Sequence, residues 1–328
     1  MKKLIFIFLC LLFCFTSCQK NKNTSETIVL KAADIHPENY PTVVGLQEFA
    51  RLVEQRSGGR IKIQILSNGT EGDETTILEK VQFGKLDFAR VSISPLSTFD
   101  EELEIFLLPN IFSNDIHFWK VLESPIGDSL LKSLEAHGFY GLCYYDSGAR
   151  SFYTTKKINS LNDLKGKKIR VQRSPIMVDF VQTLGAIPIP LDYSGIEQAL
   201  ISGDIDGAEN NIPSWESANH YKAAKYYFKN EHMRIPEMII ASKKTISALS
   251  EEDFKIIKEA AEDSSSVEKM AWLEYEQTSL EKVKKEGVEI ITPSQTQLKK
   301  EMEEVQKVLS KRYSQSQKEL IKQIEQIK

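Results

Sequence analysis

Cysteine is nearly absent from the body of this 328-residue chain: of its four, Cys10, Cys14 and Cys18 fall at the N-terminus and only Cys143 lies beyond them. One thiol cannot pair within the chain, so a disulfide framework is excluded, and inside the apolar run GLCYY Cys143 reads as a small core residue rather than a nucleophile. Histidine is also scarce, and its five copies show no ligand spacing; neither a metal nor any other cofactor is expected. The glycines at 58, 59, 69 and 72 come without the lysine and helix of a phosphate loop. G-x-S-x-G is missing, as is any pair of carboxylates at a recognisable catalytic spacing, which leaves an enzyme only isolated acids such as Glu74 or Asp192. Basic residues number 42 against 46 acids, with no basic stripe and no interleaved aromatics, so nucleic acid is not expected as a partner.

Long apolar runs are missing too, with one exception. Residues 4–15 are entirely apolar, follow Met1-Lys2-Lys3 and lead into Thr16-Ser17-Cys18. A basic start, a short apolar stretch and small residues before the cut make a signal peptide, and about a dozen residues are too few to stay as a bilayer span. The chain is expected to be exported. Small residues before Cys18, with Gln19 and Lys20 after it, resemble the lipobox of bacterial lipoproteins, although Phe15 stands where a leucine is usual. The expectation is a signal peptide over 1–17, a lipid on Cys18 that ties the protein to a membrane, and a polar linker over 18–27; the alternative is a plain cleaved signal. Cleavage removes two lysines and no acid, taking the net charge from −4 to −6.

About 300 residues remain, enough for two lobes with separate cores. Residues 28–91 alternate IVLKAA, an amphipathic run over 41–56, the alternating strand RIKIQIL, a helical pattern over 74–83 stopped by Gly84, and LDFARV. That β-α-β-α-β order predicts the α/β class, with a largely parallel sheet under helices. Residues 28–137 are assigned mainly to a first lobe and 138–241 mainly to a second. The second opens on GFYGLCYYD, a strand that could cross between lobes, and continues through RSFYTT, KKIRVQ, helices over 174–184 and 195–201, and the strand IDGAE. Another crossing candidate follows in RIPEMIIAS. Such crossings make a hinge possible. Residues 242–328 hold one long helix over 250–285, capped by Ser250 and closed by Gly287, then peripheral helices.

The densest polar signal lies over 148–211: GARSFYTT, DLKGKKIRVQRSP, LGAIPIPLDYSGIEQAL and GDIDGAENN. Arg150, Arg170 and Asn210 are too far apart for a local motif and can meet only if several strand ends converge on one site. Arg170 ends KKIRV, where strand ends face the crevice of an open α/β sheet, and its planar fork of donors matches a carboxylate. Arg150, after the permissive Gly148, offers a second cation, and Asn210 donates and accepts together. Glu209 could orient an arginine or begin a helix. Trp215 reads equally as a platform for a sugar ring and as a core wedge. Asp34 and His36 follow the first strand and could reach the cleft. Gln172 and Arg173 in the turn, with His232 and Glu237 in the crossing segment, are second-rank contacts.

The wording of those four blocks, and of the chain over about 29–287, resembles the substrate-binding proteins of tripartite ATP-independent periplasmic (TRAP) transporters. The resemblance implies a two-lobe periplasmic-binding-protein-like fold with hinge-crossing strands and a long C-terminal helix spanning both lobes. It implies that Arg170 forms the main salt bridge to a substrate carboxylate and that Tyr193 lays its ring against the ligand, although a half-buried aromatic at a strand end would look the same. It places contacts at Glu74, Arg90 and Ser92 in the first lobe. Sialic-acid-binding members have an acid at the position of Ser92 and an arginine at that of Pro95, so the ligand is not expected to be sialic acid. GAENN through NEHMRIPE resembles uronate-binding members. The implied function is an extracytoplasmic receptor that takes a small organic acid, a sugar acid such as D-glucuronate or D-galacturonate, and delivers it to the small and large membrane subunits of a TRAP permease. Alternatives are a C4-dicarboxylate or other organic acid, a receptor feeding a membrane sensor, and a secreted enzyme acting on carboxylated sugars.

Overall fold

Two mixed sheets organise the chain in a computed structural model that describes residues 27–328; the expected signal peptide and Cys18 lie outside the described residues. The first sheet has five strands in the order β2-β1-β3-β10-β4, built from β1 (Ile28–Ala33), β2 (Ile61–Leu66), β3 (Phe88–Ser92), β4 (Phe139–Tyr145) and β10 (Glu237–Ser242). The second has six, ordered β11-β9-β5-β8-β6-β7. They are β5 (Arg150–Thr154), β6 (Lys168–Val171), β7 (Ile187–Pro190), β8 (Gly207–Asn210), β9 (Tyr226–Met233) and β11 (Glu289–Ile291). β1 runs parallel to β2 and β3, joined through the helices Pro41–Arg56 and Glu74–Gln82, as the alternating sequence demands. β10 enters antiparallel between β3 and β4.

The strand GFYGLCYYD and the segment RIPEMIIAS both carry crossing chain, but their strands β4 and β10 belong to the first sheet. The passage to the second lobe occurs in residues 146–149 and the return in residues 234–236. Both strands are apolar on two faces because helices cover both sides of the sheet there, and such a run does not reveal to which sheet it belongs.

The third connection is the helix Glu251–Lys285. Ser250 caps it by accepting from Asp253 N, and three acids in its first turn complement the helix dipole. Its N-terminal half packs Ile257, Ala260 and Ala261 against Leu46, Phe49 and Val53 of the helix Pro41–Arg56. Near its other end Val283 is buried with Trp215 and Tyr227 of the second lobe. Beyond β11 the helices Gln295–Leu309 and Gln315–Gln326 return to the body, burying Met302, Val305, Leu309 and Ile324. No helix among the described residues is long and apolar enough to cross a membrane.

At the first crossing the long helix grips the chain directly. Gly148 has φ +60°, and a Cβ there would stand 2.8 Å from Trp272 Nε1, so only glycine fits. Glu268 is fully buried and accepts from Asp146 N at 2.9 Å, while its Oε1 has no partner. Burial, and then the Asp146 carboxyl beside it, push its pKa well up. A raised carboxyl pKa favours the fold below the unfolded value near 4.5, and that contribution is lost as pH rises toward the folded value. Glu268→Gln keeps the shape and the acceptor without the charge. Its melting temperature relative to the parent should therefore climb between pH 4 and 8; a difference that is flat with pH would mean that the Glu268 carboxyl has the same pKa folded and unfolded.

Candidate functional site

Between the sheets lies a cleft of about 270 Å³, walled by both lobes. On the second-lobe side, neighbouring strands β5, β8 and β6 bring together Arg150, Asn210 and Arg170. Arg150 is held from within the lobe. Its Nε and Nη2 donate to Glu209 Oε2 and Oε1 at 2.6 and 2.9 Å, Nη2 reaches Glu209 O, and Nη1 donates to Asn210 Oδ1 at 2.7 Å. Burial opposes ionisation of Glu209, but Arg150 and His232 hold its pKa down at about 2. Glu209 therefore orients an arginine, one of its two sequence readings.

Arg170 is different. It is only 3% exposed, yet its single protein hydrogen bond is Nε to Leu191 O at 2.7 Å, and no carboxylate among the described residues pairs with it. Burial pushes its pKa down from the usual arginine value, with the Glu209 carboxylate opposing and Arg150 adding to the shift, although a guanidinium stays charged near neutrality. The structure thus holds a desolvated cation whose two terminal nitrogens have no protein partner among the described residues, at the edge of a polar cleft. That is an unfavourable state that an anion relieves.

The first-lobe wall is built around Arg90, whose five N–H groups are all taken. Nε donates to Asp34 Oδ2 at 2.8 Å and Nη1 to Glu74 Oε1 at 3.0 Å and Glu237 Oε2 at 2.7 Å. Nη2 donates to Asp34 Oδ1 and to His36 Nδ1, the latter at 2.7 Å. Asp34, one residue beyond β1, also accepts from Thr42 Oγ1, and despite full burial its carboxyl is held well below the usual range by Arg90 and His36. Burial and Arg90 lower the His36 pKa, which keeps the ring neutral. Its Nδ1 stands between Arg90 Nη2 at 2.7 Å, which only donates, and Asp34 Oδ1 at 2.9 Å, which only accepts. The ring stacks on Tyr40 with centroids 4.0 Å apart.

Lobe-to-lobe contacts close the cleft. Tyr40 Oη and Ser214 Oγ stand 2.8 Å apart, Gln172 Nε2 donates to Ser92 Oγ at 3.2 Å, and the ring edge of Tyr193 meets His36 at 5.2 Å. Arg173 lines the mouth with its fork closed on Asp192 at 2.8 and 2.9 Å.

Of the residues singled out in the sequence, His36, Glu74, Arg90, Ser92, Arg150, Arg170, Gln172, Arg173, Tyr193, Asn210 and Glu237 line this cleft. Three do not. Trp215 is a core wedge packed on Tyr227 and donating to Ala224 O, because its helix buries that face. His232 stacks on Phe152 behind Glu209. Asp34 lies beneath Arg90. Tyr40, Ser147, Asn211, Ser214 and Trp272 line the cleft without having been picked out. Tyr40 had a signal in its place directly before the proline that opens the helix following the loop after β1; Trp272 had none, sitting mid-helix.

The sequence profile of bacterial extracellular solute-binding protein family 7 matches residues 32–316. A TRAP periplasmic solute-binding protein of Bradyrhizobium sp. BTAi1, solved in complex with α/β-D-galacturonate, superposes with a TM-score of 0.86 at 40% identity, covering 90% of this chain and 98% of that one. One from Pseudomonas putida F1 with bound D-glucuronate gives 0.87 at 33% identity, with 92% and 98% covered. A solute-binding protein of Chromohalobacter salexigens is 33% identical over 268 residues, covering 81% of this chain and 80% of its own.

Proposed function

This chain belongs to bacterial extracellular solute-binding protein family 7, and from that premise we propose that it is the receptor of a TRAP transporter for a sugar acid, D-glucuronate or D-galacturonate. Proteins of this family and the structural neighbours are extracytoplasmic substrate-binding receptors rather than enzymes. The observation that carries the ligand reading is the buried, unpaired fork of Arg170 in a closing polar cleft. Arg170 takes the ligand carboxylate in two parallel hydrogen bonds, while the free N–H of Arg150 Nη1 and the Asn210 amide flank it. Hydroxyls face the other lobe. Contacts made from both walls favour the closed form over the open one, and closure strengthens the ion pair by excluding water. The loaded receptor then docks on the small and large permease subunits, held to the membrane by lipid on Cys18. No covalent step is required.

Titration calorimetry with D-galacturonate, D-glucuronate and succinate tests the reading. A hexuronate should bind with a micromolar or lower Kd, about −8 kcal/mol or better. Failure of every carboxylate to bind, or steady consumption of the sugar acid during the titration, would overthrow it.

A further inference from the structure

The two passages between the lobes are gripped from two sides by groups that take no part in lining the cleft's polar walls. The helix Asp115–Leu122 carries Asp115 and Trp119 four residues apart, and so on one face. Asp115 pairs with Arg234 on the return passage, and Trp119 Nε1 donates to Asp146 Oδ2 on the outward one at 3.1 Å. On the long helix Glu268, Trp272 and Glu276 follow at the same spacing. Glu268 accepts from Asp146 N, Trp272 packs on Gly148, and Glu276 lies near Asp115, Asp146 and Arg234. Gly148 N donates to Asp146 Oδ1 at 2.8 Å, and Ser147 Oγ donates to Ile235 O at 2.5 Å, which ties one passage to the other. These acids therefore stand at the pivot itself.

Asp115, Asp146, Glu268 and Glu276 crowd this pivot, faced by the cations Arg234 and Lys269, with Lys229 of β9 near Glu276. Glu268 is the least compensated of them. It is fully buried, does not line the cleft, and leaves Oε1 without a partner among the described residues. The cation beside it, Lys269, is drawn to Glu123 at 3.0 Å and to the Trp119 ring. The other ionisable groups packed on Glu268 are Cys143 and Tyr145 of β4 and Glu237 of β10, none of them a cation.

We propose that Glu268, with Asp146 and Glu276, is a proton-operated catch on the hinge: closing the lobes takes up a proton here, and losing it lets them open. This rests on the receptor reading and adds a regulator to it, because closure is what the ligand stabilises. In the closed form a charge on Glu268 is stripped of water and faced by like charges. Turning residues 146–149 to open the lobes breaks the contact of Asp146 N with Glu268 and admits water to the carboxyls. Burial raises the pKa of all three acids in the closed structure, which has the same sign. A group whose pKa is higher closed than open binds a proton on closing, so ligand affinity rises as pH falls.

The catch is read first without ligand. Spin labels on Glu79→Cys and Gln198→Cys, both exposed and on helices of opposite lobes, report the distance between lobes, while the buried Cys143 stays unlabelled. Lowering the pH from 8 to 5 should raise the ratio of short to long distances in the parent about threefold or more. Glu268→Gln keeps the acceptor and imitates the neutral carboxyl, so its ratio should be high at both pH values. Calorimetry with D-glucuronate and D-galacturonate reads the same effect through affinity. Glu268→Gln should bind the better hexuronate about threefold or more tightly than the parent at pH 8, and equally at pH 5. Glu276→Gln, at the half-buried edge of the cluster, should shift the same way by less, and it carries the test if Glu268→Gln folds poorly. A Glu268 that serves the fold alone would give a variant weaker than the parent at both pH values, and that result would overturn the catch. So would label distances that follow pH in both variants as they do in the parent, or that ignore pH in the parent. Failure of every carboxylate to bind counts against the receptor reading instead, and the label distances still decide the catch.

Discussion

Arg170→Ala should abolish most of the affinity while leaving the unliganded protein at least as stable as the parent. Two charge-assisted hydrogen bonds, each worth about 1.5–3 kcal/mol, vanish with the guanidinium, a loss of roughly a hundredfold to ten-thousandfold in Kd. The stability side of the prediction is the more diagnostic. A buried cation whose fork has no protein carboxylate is a cost to the empty fold, so its removal relieves a penalty and the apo melting temperature should stay level or rise. Arg150→Ala should behave in the opposite way, because it strands the fully buried Glu209. Breaking that pair costs about 3–5 kcal/mol, visible in melting curves without any ligand. Arg170→Lys keeps the charge and loses the parallel pair, so affinity should recover only in part. If Arg170→Ala binds hexuronate as the parent does, the carboxylate is held elsewhere.

The contrast between these two arginines shows what the sequence makes legible. GARSF and KKIRV place both at strand ends, and the helical periods over 41–56, 74–83 and 250–285 are reproduced to within a residue or so, because caps and apolar spacing are local properties. Which arginine is free is not local. Arg150 is paired because β8 sets Glu209 and Asn210 beside β5, and Arg170 is free because its other neighbour, Asp192, has closed on Arg173. The same limit explains Arg90. Asp34, Glu74 and Glu237 come from three separate segments, and nothing in their spacing says that they converge on one guanidinium and exhaust it. Trp215 could serve as platform or wedge by composition alone; the packing of Tyr227 and Val283 around it decides for the wedge.

Arg90→Met should be the most destabilising single change in the cleft. It leaves Asp34, fully buried, together with the nearly buried Glu237 and the marginal Glu74, without their shared cation. Breaking one buried ion pair costs about 3–5 kcal/mol, and here the fully buried Asp34 loses its partner, whereas Glu237, whose pKa burial pushes up to about 8, strands little charge at neutral pH. Against a total stability of roughly 5–15 kcal/mol, the expected fall in melting temperature at neutral pH is on the order of 10 °C or more. The sign of the pH dependence separates this from lost packing. Arg90 holds the Asp34 pKa below its unfolded value, so in the parent that stabilisation is present above the unfolded pKa and disappears as pH falls through the folded one. In the variant Asp34 protonates readily and no longer carries the penalty of a bare charge once the solution is acid. The gap between parent and Arg90→Met should therefore be widest at pH 7 and narrow steadily below about pH 4, whereas a packing defect would keep it constant. Adding Asp34→Asn to Arg90→Met should recover part of the loss at neutral pH, since the amide removes the most deeply buried of the stranded charges. A double variant no more stable than Arg90→Met would mean that the methionine fails through shape, and that the arginine holds this wall by its volume rather than by its charge.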